Sequence, residues 1–209
     1  MTHAVRPAVA TDLGAAAHVL CAAFTDYPWT RWALPHDEYT ERLYETQRLY
    51  LDHALRHGMV LVDTELRAVA AFLFPDAPPP PESVQRRVGE LHGDRLAALL
   101  SAPLPPTPGR AWSLEAVGVQ PGHQGTGLGS AVLTAGLELI DIRFGAVSLE
   151  TSDERNVRLY ERLGFATTAT TQIPDGPFVA SMYRGARHIH HTDTLKGTHV
   201  ASEHQQETP

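Results

Sequence analysis

Apolar positions recur along the chain at two periods, and the switches between them divide it into elements. Leu13, Ala16, Ala17, Leu20 and Phe24 keep helical spacing after Thr11, which predicts a helix with Thr11 as its N-cap, ending near Asp26-Tyr27-Pro28. A second helical stretch runs from about Asp37 to His57, with Tyr39, Leu43, Tyr50, Leu51, Ala54 and Leu55 on one side and Gly58 as its stop. Val5 to Val9 reads as a short first strand. MVLVD and RAVAAFLFP flank a turn through Thr64 and Glu65, the pattern of an antiparallel hairpin. The prolines of Ala77 to Pro81 lack the N–H that a ladder needs, so this run is a stiff connector. Glu82 to Leu100 reads as one helix, and the proline-rich PLPPTPG from Pro103 separates it from the strand AWSLEAVGV. After a glycine-rich loop come a helix to about Ile140, a strand AVSLET, a helix near Arg155 to Leu163, and closing strands around Phe165 to Ile173 and Phe178 to Tyr183. This order predicts an α+β fold with a mostly antiparallel sheet, not a doubly wound parallel one.

Length and charge narrow the picture. The 209 residues suit a single domain, here 1–187, and one cysteine, Cys21, excludes an internal disulfide. Cys21 sits within an apolar helix pattern and is expected to be a small core residue. Residues 188–209 hold five of the twelve histidines and almost no apolar side chains. They are expected to form a disordered end; a metal-binding tract is the alternative, with no cysteine or paired carboxylates to support it, so no metal is predicted. A net charge of -7 argues against a nucleic-acid partner. No window approaches the roughly 18 uninterrupted apolar residues of a membrane span, and the N-terminus lacks a signal pattern, which predicts a soluble cytoplasmic protein with no membrane partner.

The loop VGVQPGHQGTGLGSAV, from Val117 to Val132, carries the chemistry. Gly125, Gly127 and Gly129 have Ser130 where a dinucleotide-binding loop needs its third glycine, and no lysine follows as in a phosphate-binding P-loop. Pro121 locks a turn, and the following helix opens with backbone N–H groups free of intrahelical partners. Bare backbone at a helix N-terminus can hold a pyrophosphate without a lysine.

Val119-Gln120-Pro121-Gly122-His123-Gln124-Gly125-Thr126-Gly127-Leu128-Gly129 resembles the acetyl-CoA signature V-x-P-x-x-Q/R-x-x-G-x-G/A of the GNAT N-acetyltransferases. Asn156 to Phe165, ending Tyr160-Glu161-Arg162-Leu163-Gly164-Phe165, is similar to that family's second mark. Ala22 to Pro28, Leu149-Glu150-Thr151-Ser152 and Arg155-Asn156 further resemble the puromycin N-acetyltransferases, with departures at Trp29, Trp32, the proline run and the tail. The resemblance implies a GNAT fold in which the strands Trp112 to Val119 and Ala146 to Thr151 splay apart to admit acetyl-CoA. It implies pairing of the pantetheine arm with the backbone of Val117 and Val119, a pyrophosphate cradle from Gln124, Gly125, Thr126, Gly127, Leu128, Gly129 and Ser130, and a pantetheine contact from Asn156.

Acetyl transfer needs a neutral amine, a donor for the developing oxyanion and a proton for the departing thiolate. An α-amino group titrates near pH 8, so a modest base is sufficient, acting directly or through water. The resemblance makes Tyr160 the acid. Glu150 and Glu115 compete as base, and a strand bulge near Val117 would change side-chain parity and leave the choice open. A backbone N–H between Val117 and Val119 is the expected oxyanion donor. Asp26, Tyr27, Trp29 and Trp32 are candidate acceptor-binding residues, because flat aromatic walls suit a nucleoside and a carboxylate attracts a cationic amine. These readings imply a small-molecule amine acetyltransferase, with puromycin or a related aminoacyl nucleoside as acceptor. The alternatives are a protein N-terminal or lysine acetyltransferase, which would need an open groove, and a non-catalytic acetyl-CoA-binding module.

Overall fold

Strand alternation in the central hairpin sorts the helices onto two sides of one sheet. The hairpin consists of β2 (Gly58–Asp63) and β3 (Ala68–Leu73) in the computed structural model, which describes residues 3–187. The histidine-containing tail lies outside the described residues. Val60, Val62, Val69 and Ala71 face α1 (Leu13–Phe24) and α3 (Tyr39–His57), where they meet Ala16, Ala17, Leu20, Leu51 and Ala54. Ala68, Ala70 and Phe72 face α6 (Leu128–Asp141) and its Val132, Leu133, Leu137 and Ile140. Full burial of a side chain such as Leu20 or Leu133 contributes about 1.5–3 kcal/mol relative to exposure. The Phe72 ring lies against the bare backbone of Gly136, so α6 approaches the sheet closely there.

The remaining strands are β1 (Val5–Pro7), β4 (Ala111–Val119), β5 (Ala146–Thr151), β6 (Ala166–Gln172) and β7 (Phe178–Arg184). They form one seven-stranded sheet in the order β1-β2-β3-β4-β5-β7-β6. Only β4 and β5 pair in parallel; every other neighbouring pair is antiparallel. The α+β expectation therefore holds, and β4 and β5 occupy the segments AWSLEAVGV and AVSLET as read from the sequence. Asp63 closes the hairpin by accepting from the backbone N–H groups of Arg67 and Ala68.

Three elements differ from the sequence reading. Pro28 begins α2 (Pro28–Ala33) instead of closing the preceding segment, because at the first helical position its missing N–H costs nothing and its fixed φ is already helical. Glu82 to Leu100 is not one helix: α4 (Glu82–His92) stops at Gly93, whose φ of +51° favours glycine, and α5 (Leu96–Leu100) follows a short 3₁₀ turn. Thr11 does not cap α1. It lies in a 3₁₀ turn, Ala10–Asp12, where Asp12 accepts from the Val9 backbone N–H and pairs with Arg6. α7 (Glu154–Arg162) is capped by the Asp153 side chain, which accepts from the Arg155 N–H.

Arg184 at the end of β7 is locked to Asp141 at the end of α6 by two hydrogen bonds of 2.6 Å, and its Nε donates to the Leu163 carbonyl at 3.2 Å. Both side chains are buried. Asp141→Asn leaves a buried guanidinium without its counter-charge, which is expected to cost about 3–5 kcal/mol. Thermal unfolding should show a fall of roughly 10 °C or more in Tm. The paired replacement Asp141→Leu with Arg184→Met should recover much of that loss, since neither charge then remains buried.

Candidate active site

The parallel pairing of β4 and β5 lasts four residues, Ala111 to Leu114 against Ala146 to Leu149, and then stops. At that point β4 bulges: Ala71 opposes Ala116 and Phe72 opposes Leu114, so Glu115 has no partner on β3. From Glu115 to Val119 the edge of β4 that faces β5 is free of strand pairing. The end of β5 is tied elsewhere. The Tyr27 hydroxyl accepts from the Ser152 N–H at 2.7 Å and shares a hydrogen bond with Thr151 Oγ1 at 2.9 Å, and the Trp29 N–H donates to Ser152 Oγ at 3.1 Å. These bonds anchor the start of α2 to the tip of β5. α1 crosses β4 at Gly118, where a Cβ would lie 2.8 Å from Leu20 Cδ2, so α1 leads the chain directly over the gap.

A cavity of about 490 Å³ fills the splay. Its floor is β4 and β5, and its walls come from α1, α2, α3, the end of α4, α5, α7, β6, β7 and the loop Pro105 to Pro108. Of the residues singled out in the sequence, Tyr27, Trp29, Glu115, Val117, Glu150, Asn156 and Tyr160 line this one space. Asp26 and Trp32 do not. Asp26 is exposed and pairs with Arg31 at 3.1 Å, and Trp32 packs at Gly176 in the turn between β6 and β7. Cys21 is also absent from the lining; it is buried with Leu34, Tyr39 and Leu43, and its Sγ donates to the Thr40 carbonyl at 3.7 Å.

Tyr160 projects from α7, 4% exposed, with its ring edge-on to Phe165. Burial, reinforced by the neighbouring Tyr27, holds its phenol well above the ordinary tyrosine pKa. It therefore keeps its proton throughout the physiological range. Glu150 opens onto the cavity, yet the surrounding walls raise its carboxyl pKa by desolvation, and the nearby Glu115 adds to the effect. A 3.5 Å hydrogen bond from Ser181 Oγ works in the opposite direction and is outweighed. Tyr50 on α3, not singled out from the sequence except as an apolar-face residue, also lines the cavity, and burial together with Glu115 pushes its phenol up to about 12. The lining contains two carboxylates and neither Lys nor Arg.

Beyond β4, Gly125 and Gly127 adopt φ values of +77° and +90°, a region that L side chains rarely adopt. No atom lies within 4 Å of where a Gly125 Cβ would be, so the loop presents open backbone. Gly127 is the N-cap of α6 and supplies no side-chain cap, which leaves the first amides of that helix free for an anion. The Gln124 side chain folds back instead and donates to the Val119 carbonyl at 3.3 Å. A free strand edge ending in an uncapped helix N-terminus fits an extended pantetheine arm and its pyrophosphate. Among the described residues no group of three or more His, Cys, Asp or Glu side chains is arranged to hold a metal ion, and no helix is long and apolar enough to cross a membrane.

Solved structures carry the same architecture. A histone acetyltransferase HPA2 and related acetyltransferase from Corynebacterium glutamicum is 25% identical, with a TM-score of 0.73 over 90% of this chain and 98% of that one. The ribosomal-protein-S18-alanine N-acetyltransferase of Escherichia coli is 18% identical, with a TM-score of 0.51 over 96% and 99% of the two chains. The yncA protein of Salmonella typhimurium, solved with its cofactor acetyl-CoA, is 18% identical, with a TM-score of 0.52 over 90% and 95%. The family model described as Acetyltransferase (GNAT) family matches residues 22–165. The chain thus belongs to the GNAT acetyltransferases, enzymes that use acetyl-CoA to acetylate amines of small molecules or peptides.

Proposed function

We propose that this enzyme acetylates the primary amine of a small aromatic acceptor, puromycin or a related aminoacyl nucleoside, and so inactivates an antibiotic. The observation that carries this reading is the shape and charge of the cavity. It is walled by helices and by the Pro105 to Pro108 loop, lined with Phe24, Tyr27, Trp29 and Tyr50, and bears two carboxylates with no cationic side chain. Such a space favours a flat molecule with an ammonium group over a peptide chain, which needs a groove open at both ends. Transfer is direct within a ternary complex, consistent with a cavity lining that contains no cysteine.

In this reading Val117, Val119 and Asn156 hold the pantetheine arm, and the backbone from Gln124 to Ser130 holds the pyrophosphate. Glu150 takes the amine proton, directly or through water, while Tyr160 donates to the departing sulfur. Glu115 keeps the amine's end of the cavity negative. Acetyl-CoA turnover against puromycin, a set of aminoglycosides and a peptide amine tests the proposal. Preferred turnover of the peptide, or none with puromycin, would overturn it.

Three variants separate the assigned roles. Tyr160→Phe retains the packing on Phe165 and should lower kcat by roughly 10²–10⁴-fold with acetyl-CoA affinity unchanged; an unaltered rate removes Tyr160 from the chemistry. Because the Glu150 pKa is raised, its basic form is lost as pH falls through a value above that of an ordinary glutamate. The acid limb of kcat should lie correspondingly high, and Glu150→Gln should abolish that limb and slow turnover by roughly 10²-fold or more. Gly127→Val places a β-branched side chain at a φ of +90° in the cradle. Calorimetric titration should show acetyl-CoA binding lost from a protein whose circular dichroism is still that of the folded chain.

A further inference from the structure

The helical wall of the cavity carries three buried polar side chains that acetyl transfer itself does not use. Thr46 and Gln47 on α3 are 3% and 6% exposed, and His92 at the end of α4 is 4% exposed. All three line the cavity, among apolar neighbours that include Ala33, Leu34, Leu43 and Leu99. Thr46 Oγ1 is buried with no hydrogen-bond partner among the described residues, and the Gln47 amide makes no hydrogen bond to any of them. Buried polar groups in folded proteins are almost always partnered, so an unpartnered buried hydroxyl on a cavity wall, beside two further polar side chains that line the same space, points to a ligand.

His92 has a fixed polarity. Its Nδ1 lies 2.8 Å from the Val88 carbonyl, which can only accept, so Nδ1 carries the proton. Burial lowers the ring's pKa more than this hydrogen bond raises it, so the imidazole is neutral and Nε2 presents a lone pair. The ring is also held in place. Arg42 Nη1 donates to the Glu90 and Leu91 carbonyls at 3.1 and 3.0 Å, clamping the last turn of α4 to α3, and Thr46 lies one turn beyond Arg42 on the same side of that helix. Tyr50 is one further turn on and sits within the electrostatic reach of Glu115. Thr46 and Tyr50 are thus spaced about 6 Å apart along α3, four residues at about 1.5 Å each.

We propose that Thr46, Gln47 and His92 form a recognition subsite for a neutral hydroxyl of the acceptor, remote from the amine that is acetylated. The hydroxyl donates to His92 Nε2 and accepts from Thr46 Oγ1 or the Gln47 amide. An anion is disfavoured there, because it would face the imidazole lone pair with no Lys or Arg in the lining. A sugar hydroxyl of an aminoacyl nucleoside has the required chemistry. The assignment rests on the small-molecule reading of the cavity.

The test uses the full chain with puromycin and two amine pairs that differ by one hydroxyl, tyramine with phenethylamine and serotonin with tryptamine. Thr46→Val and His92→Leu should each raise KM roughly tenfold for the hydroxylated amines, the loss of about one hydrogen bond. KM for the deoxy partners, KM for acetyl-CoA and kcat should stay unchanged, and His92→Gln, which restores an acceptor, should recover most of the effect. Equal changes within each pair, or none, would overturn the subsite. A second measurement needs no acceptor: Thr46→Val removes an unpartnered buried hydroxyl at nearly constant volume and should raise Tm by roughly 2–4 °C. A fall in Tm would show that the hydroxyl is satisfied within the fold and would sink the subsite. If no amine is acetylated, the small-molecule reading fails, and the Tm shift still decides whether the wall is built for a ligand.

Discussion

The end of parallel pairing after Leu114 and Leu149 is the constraint on which the site depends. A parallel pair that continued would bury the edge of β4 in hydrogen bonds and close the space between the strands. Two local features stop it. The bulge at Glu115 re-aims β4, and the hydroxyl of Tyr27, bonded to Thr151 and Ser152, holds the tip of β5 against α2. The gap is thus built from ordinary backbone pairing rules applied to a strand with one residue too many and a strand end captured by a helix.

Charge follows from the same opening. The chain carries a net charge of -7, so a polyanionic cosubstrate must be held by something other than general attraction. On the proposed reading this is the task of the backbone amides from Gly125 to Ser130, beyond the end of β4. The acidic side chains Glu115 and Glu150 lie on the cavity floor, where on the proposed reading an amine arrives as a cation and loses a proton. Desolvation raises both the Glu150 carboxyl and the Tyr160 phenol, and the two shifts have opposite uses. On the proposed reading the carboxylate becomes a stronger base, and the phenol retains the proton it would donate.

Where local chemistry decides structure, the sequence was readable. β4 and β5 are largely apolar segments bounded by proline, glycine or turn residues, and both begin and end where those signals fall. The glycine loop excluded two nucleotide motifs, one by its glycine spacing and one by its missing lysine. Other features were hidden because a long-range contact sets them. Pro28 reads equally well as a stop or as the first residue of a helix, and only the docking of α2 on Ser152 distinguishes the two. The side-chain parity of Glu115 depends on a bulge opposite Ala71 and Phe72, residues more than forty positions away. Asp26 and Trp32 looked equivalent to Tyr27 and Trp29 as cavity residues, yet both lie outside the cavity lining, one paired with Arg31 and the other packed at Gly176.

The polar wall was invisible for a different reason. Thr46 and Gln47 sit in a helix whose other buried positions are apolar, and His92 precedes a glycine that ends α4, so each has an unremarkable local explanation. Their common feature is the cavity they line, which emerges only when α4 packs on α3 through Arg42. This separates two kinds of information in the fold. The sheet is held by backbone pairing, which constrains few side chains and tolerates wide sequence change, as the same fold at 18% identity illustrates. On the proposed reading the helices above the sheet meet the acceptor with side chains, and selectivity resides there, in polar groups that line the cavity.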